Sequence, residues 1–192
     1  ALLSKVPLED VQRGLPGDDA DDHARFITAL VAVDDTMIRV ASLYLPNGNP
    51  VDTGKFPYKL AWMDRLQRWT EGRLELEEDF ILAGDYNVIP QSIDCHDPDV
   101  WEGDALFRPE SRSAFFRLQN LGLTDAVRQT NRDQVFTFWD YQAGAWQKNN
   151  GIRIDHLMLS PGIADRLQEC QIDKFVRAWE KPSDHVPVWI TI

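Results

Sequence analysis

Cysteine is scarce in this chain, with Cys95 and Cys170 alone among 192 residues, far apart and without metal-ligand spacing. That excludes a disulfide scaffold and a thiolate metal centre, and it predicts free thiols in a reducing compartment. Long apolar runs are also missing. No stretch approaches the roughly 20 residues that a membrane-spanning helix needs, and the first residues carry neither a signal-peptide pattern nor an initiating Met. These features predict a cytoplasmic protein without membrane contact. Positive charge is the third deficit: 20 Lys and Arg face 31 Asp and Glu, for a net charge of −11. A nucleic-acid partner is disfavoured by that sum, because such binding draws largely on cations at phosphates. The acids nevertheless concentrate at Asp18 to Asp22 and Glu75 to Asp79, as solvated loops or helix ends do, so local sign matters more than the total.

What is present suits one domain over residues 1–192, long enough to bury a core and 43% hydrophobic. Ala1 to Leu3 read as the tail of a strand, followed by a loop from Pro7 to Asp22. Two β-rich runs, Arg25 to Val33 and Met37 to Leu45, flank Asp34-Asp35-Thr36, a hairpin signal. Phe56, Leu60, Met63 and Leu66 recur at helical spacing up to about Glu75, with Trp62 and Trp69 expected in the core. Gln91 to Pro109 is polar and holds Asp94, His96, Asp97 and Asp99. A metal site there is one reading, but loop acids are usually solvated. Ser111 to Leu121 predicts a second packing helix. Phe136 to Tyr141 reads as an aromatic strand running into a loop with Trp146, Lys148, Asn149 and Asn150.

The chemistry concentrates in Phe80-Ile81-Leu82-Ala83-Gly84-Asp85-Tyr86-Asn87. An apolar run of strand length stops at a glycine, and an acid and an amide follow at alternate positions. Side chains two apart on an extended chain point the same way, so Asp85 and Asn87 share a side while Tyr86 turns to the other. A carboxylate and a carboxamide so placed can hold and deprotonate a water. The same four residues also suit a plain turn. Near the C-terminus Asp155 enters an apolar strand in Arg153-Ile154-Asp155-His156, and Asp184-His185 opens another in Ser183-Asp184-His185-Val186-Pro187.

Together with Tyr44-Leu45-Pro46-Asn47-Gly48, these motifs resemble the endonuclease/exonuclease/phosphatase superfamily, and more closely its exonuclease III-type apurinic/apyrimidinic (AP) endonucleases. The resemblance implies an α/β fold, a four-layered α/β sandwich of two mixed β-sheets flanked by helices, of which this chain is the C-terminal two-thirds to three-quarters. It implies a metal-dependent DNA repair phosphodiesterase that cuts 5′ to abasic sites and trims 3′ ends of double-stranded DNA. It implies Mg²⁺ as cofactor, with Mn²⁺ as a substitute. Tyr44, Asp85, Asn87, Asp155 and His185 match catalytic positions, Asp184 a metal ligand, and Trp139, Asn150 and Arg153 the DNA-binding segment. The family's early Asn near the phosphate and its principal metal-binding Glu have no counterpart here, so an impaired fragment is expected, one completed by residues outside this sequence or by a second copy. Whether His185 acts as base or cationic stabiliser is left open. A phosphatase or phosphodiesterase acting on a small or lipid substrate is the alternative, which the acidic charge mildly supports, and a non-catalytic fragment is the third reading.

Overall fold

The Asp34-Asp35 signal closes a two-residue hairpin between β2 (Phe26–Val33) and β3 (Thr36–Tyr44), in register from Phe26 opposite Leu43 to Val33 opposite Thr36. Asp34 adopts a φ of 50°, a left-handed turn conformation that Asp tolerates. The computed structural model describes residues 1–192. From β3 the chain crosses through α1 (Lys55–Glu75) into β4 (Phe80–Asp85), which lies parallel to β3, as a helical crossover permits. β6 (Asp155–Leu159) runs antiparallel on the other edge of β4, and the short β5 (Thr124–Asp125) pairs with β6. With β1 (Leu8–Arg13) beside β2, this gives a six-stranded mixed sheet in the order β1-β2-β3-β4-β6-β5.

Alternation along the strands sends two sets of apolar residues to opposite faces. Ala41, Leu43, Phe80, Leu82 and Met158 meet Trp62, Met63, Leu66 and Trp69 of α1 and Phe115 and Leu118 of α2 (Pro109–Gln119). Each large side chain buried in this way contributes about 1.5–3 kcal/mol. Ile38, Ile81, Leu157 and Leu159 face the other side, where Cys170, Val188 and Ile190 cover them. Those residues belong to β7 (Glu169–Ile172) and β8 (Val188–Thr191), a separate antiparallel pair. The layers are therefore helices, mixed sheet and β7–β8. Three short helices, α3 (Ala126–Thr130), α4 (Ala145–Lys148) and α5 (Pro161–Arg166), complete the connections.

Two local expectations are corrected. Ala1 to Leu3 form no strand, and β1 arises instead inside the segment read as a loop, where the free edge of β2 pairs it despite its exposed side chains. Phe136 to Tyr141 is not a strand either. It threads between two segments, and Phe138 makes single bridges to Ile152 on one side and His185 on the other.

Candidate active site

Strand register assembles the site. Tyr44 pairs with Asp85 across β3–β4, and Asp85 pairs with Asp155 across β4–β6, so three side chains predicted for catalysis stand in one row on neighbouring strands. Their parity is that of Ile38, Ile81 and Leu157, the β7–β8 side of the sheet, whereas Tyr86 goes to the helix-side core. Gly84 is required for the close approach of β3 and β4: a Cβ there would lie 2.0 Å from the Leu43 carbonyl oxygen, at a φ of 150°. The bridge at Phe138 brings in His185, and the row opens into a cleft of about 330 Å³ lined by Tyr44, Asn47, Asp85, Asn87, Asp184 and His185. Phe138 and Trp101 are its aromatic walls.

Asp155 accepts a hydrogen bond from His185 Nδ1, at 2.9 Å to Oδ2 and 3.1 Å to Oδ1. Burial alone would lower the ring's pKa. The Asp155 hydrogen bond and charge, with Asp85 and Asp184 behind them, outweigh it and hold His185 above its ordinary value. The charged imidazole is thereby favoured, with Phe138 packed edge-on at 5.0 Å between centroids.

Asp85 carries the opposite perturbation. Burial, reinforced by the Asp155 charge, pushes its carboxyl up to about 7, against the Asn87 amide, His185 and Lys59. Asn87 holds it in place: the backbone N–H donates to Oδ1 at 2.8 Å and the side-chain amide to Oδ2 at 3.1 Å. Asn87 Nδ2 also donates to Leu45 O at 2.9 Å, while its Oδ1 accepts from Asn47 Nδ2 at 3.1 Å. Both ends of that amide are thus engaged by protein groups, which suits Asn87 to orienting Asp85. Tyr44 lies half exposed at the cleft rim, under the Arg25 guanidinium at 5.0 Å.

Two DNA-binding assignments are overturned. Trp139 has no solvent-facing edge, being 0% exposed, and is the centre of a cluster with Phe136 and Trp146 edge-on and the Lys174 ammonium over its ring. Arg153 is buried as the counter-ion of two carboxylates, at 2.7 Å to Asp94 and 2.8 Å to Asp125, with Arg128 also on Asp94. Asp125 has no other guanidinium partner, and burying its charge unpaired would be costly. The acid-rich loop 91–109 is therefore no metal site: Asp94 is a buried structural ion and Asp97 and Asp99 are exposed. Asn150 is half-buried behind α4 and does not line the cleft.

Reasoning on the sequence missed Lys59, whose ammonium is buried beneath the cleft against Asn47 O and Asn87 O. The signal was available, since Lys59 stands three residues after Phe56 on the apolar stripe of α1. As for a divalent ion, no three Asp, Glu, His or Cys side chains converge, which excludes a closed protein cage. Mg²⁺, however, is usually held by one or two carboxylates together with waters and phosphate oxygens. Asp184 fits that role, since it lines the cleft and its carboxylate meets only the Ser183 hydroxyl, at 3.4 Å.

Comparison with known proteins identifies the family. Exodeoxyribonuclease III of Haemophilus influenzae is 33% identical over 98% of this chain and 74% of its own length. Among solved structures, a 3′ phosphatase from Neisseria bound to product DNA hairpin superposes with a TM-score of 0.92 at 34% identity, covering 98% of this chain and 72% of that one. An AP endonuclease from Archaeoglobus fulgidus gives 0.87 at 34% identity over 95% and 70%. A profile of the Endonuclease/Exonuclease/phosphatase family matches residues 1–185, and with these relatives it establishes that the chain belongs to that family.

Proposed function

We propose that the chain is a Mg²⁺-dependent DNA repair phosphodiesterase of the exodeoxyribonuclease III and AP endonuclease type. It cuts 5′ to abasic sites in double-stranded DNA, trims 3′ ends, and works in the cytoplasm as a single domain over residues 1–192. The observation that carries this reading is the row of Tyr44, Asp85 and Asp155, with His185 held against Asp155 in the same cleft.

Cleaving a phosphodiester requires an activated water, neutralised non-bridging oxygens and a stabilised leaving oxygen. Asp85, with its pKa near 7, suits a base at neutral pH and takes a proton from the attacking water. Asn87 orients that carboxylate. His185, kept cationic by Asp155, donates to a phosphate oxygen as charge develops there, and the Tyr44 hydroxyl donates from the rim. Asp184 supplies the chain's carboxylate to Mg²⁺, with Mn²⁺ as a substitute; when bound, the ion neutralises phosphate charge and favours deprotonated water.

The cleft itself carries Asp85, Asp104, Asp140 and Asp184, but cations lie beside it. A cavity of about 440 Å³ shares Asn47 and Asn49 with the cleft and is lined by His23, Arg25 and Lys55. The Arg25 and Lys55 cations there suit the phosphates flanking a scissile bond. With Trp139 and Arg153 in the interior, the aromatic contact to DNA falls to Phe138 and Trp101 on the cleft walls. The names of the relatives support a DNA substrate over a small or lipid one. The test is cleavage of a duplex oligonucleotide carrying one abasic analogue, and of one ending in a 3′ phosphate, each with Mg²⁺ and with chelator. Mg²⁺-dependent incision 5′ to the lesion is expected. Hydrolysis of small phosphodiesters without any DNA cleavage would overturn the reading.

A further inference from the structure

We propose that Lys59 is a positioning residue for the reaction. Its buried ammonium ties the backbone carbonyls of Asn47 and Asn87 together and so fixes the amide chain that orients the Asp85 carboxylate. This rests on the proposed function only for its effect on turnover.

Lys59 sits on the sheet-facing side of α1 and is 0% exposed. Nζ donates to Asn87 O at 2.5 Å and to Asn47 O at 3.0 Å, and no carboxylate is in ion-pair contact with it. Burial pulls it down to about 7, with only the more distant charges of Asp85 and Asp104 favouring the ammonium. Leaving a lysine in the interior without a paired acid costs several kcal/mol, and a Leu or Met would fill the same volume. What the lysine adds over an apolar residue of that volume is its head group.

The head group closes a circuit. Asn47 and Asn87 come from the two loops that leave β3 and β4. Their side chains already meet at 3.1 Å, and Asn87 grips both oxygens of Asp85. Lys59 binds the carbonyls of those same two residues, so one cation clamps the backbone at both ends of the side-chain link. Asn87 adopts a φ of 47°, in the left-handed region, where its carbonyl meets the lysine. The turn at Gly48 is built around the stem of the lysine: at a φ of 93° it passes so close that a Cβ would lie 2.7 Å from Lys59 Cδ. Without the clamp, Asp85 would lose its fixed orientation, and small misplacement of a reacting group is enough to lower turnover by ~10²-fold.

Lys59→Met keeps the stem and removes the charge. In this variant the side-chain amide signals of Asn47 and Asn87 in nitrogen-15 spectra should shift and exchange faster, and the Asp85 carboxyl, followed by carbon-13, should titrate at higher pH. Turnover on the abasic duplex should fall ~10²-fold with KM within about twofold, since the substrate contacts remain. In an Asp85→Asn background the same substitution should cost little further turnover, because it acts through that carboxylate. Unchanged Asn amides and an unchanged Asp85 titration in a folded Lys59→Met chain would overturn the proposal, whatever the activity. So would undiminished turnover. If Lys59→Met does not fold, the wild-type chain decides: an ammonium proton signal from Lys59 coupled to the Asn47 and Asn87 carbonyls is expected, and its absence overturns the clamp. A wild-type chain that shows this signal but cuts no DNA would count against the proposed function and leave the clamp standing.

Discussion

Within four residues, Arg153 to His156, the chain serves two acid–base clusters of opposite character. Arg153 and His156 point into the interior with Asp94 and Asp125, while Asp155 between them meets His185 and stands opposite Asp85 on the neighbouring strand. His156 accepts from Arg153 on Nδ1 at 2.9 Å, so its proton lies on Nε2, which donates to Val88 O at 3.1 Å. Burial, followed by the Arg153 charge, pushes that ring down to about 4 and keeps it neutral. His185 has a carboxylate where His156 has a guanidinium, and it keeps an opening to water. Neighbouring residues of one strand thus serve a histidine pushed toward neutrality and another, from a distant segment, favoured in its charged form, and the sign of the nearest charge separates them.

The largest effect should come from breaking the buried cluster. Arg153→Met would strand Asp125 without its guanidinium and leave Asp94 only Arg128, and should lower stability by about 3–5 kcal/mol in denaturant unfolding. Turnover per folded molecule should change far less, since Arg153 touches nothing in the cleft.

The cleft should show the reverse pattern. His185→Asn or Asp85→Asn should lower turnover on abasic DNA by about 10²-fold or more, with thermal midpoints near or above wild type. For Asp85 the sign follows from linkage. Its folded pKa of about 7 exceeds the ordinary 3.8, so the fold keeps a proton that the unfolded chain has released, and stability declines as pH rises through that window. Asp85→Asn removes the decline, and unfolding midpoints compared at about pH 5 and about pH 8 will reveal it.

Asp155→Asn is a smaller break, about 10-fold in turnover, because Asp155 acts through His185. Since Asp155 raises the His185 pKa, the alkaline limb of the pH–rate profile should move to lower pH in this variant; an unmoved limb would detach the pair from the chemistry. The limbs belong to the coupled Asp85, Asp155 and His185 set rather than to single residues.

The smallest effect sharpens the contrast on the stability side. The folded pKa of His156, about 4, lies below the ordinary 6.5, so the unfolded chain takes up a proton first as pH falls. The stability this histidine allows is complete above 6.5 and is lost toward 4. His156→Leu should therefore unfold with a shallower pH dependence between about pH 7 and about pH 4.5, measured by denaturant midpoints.

Much of this was legible in the chain. Periodicity gave the β2–β3 hairpin, α1 and α2, because apolar spacing reports which face is buried, and residues of the Gly84-Asp85-Tyr86-Asn87 and Asp184-His185 motifs line one cleft, because polar groups that end neighbouring apolar segments collect at the same edge of the sheet. Trp139 and Arg153 were misplaced for the same reason that His156 and Lys59 went unassigned. An aromatic or a cation is assigned to the surface by type, and only its neighbours in space can keep it inside.

By itself the sequence determined the strand ends, the side-chain parity that turns Asp85 and Asp155 one way and Tyr86 the other, and the family to which such motifs belong, since these are local properties of an extended chain. The tertiary structure alone decided which cation met the buried carboxylates. Asp94 and Asp125 found Arg153 across 59 and 28 positions of chain. An ion pair depends on distance and on exclusion of water, and neither is written in the order of residues.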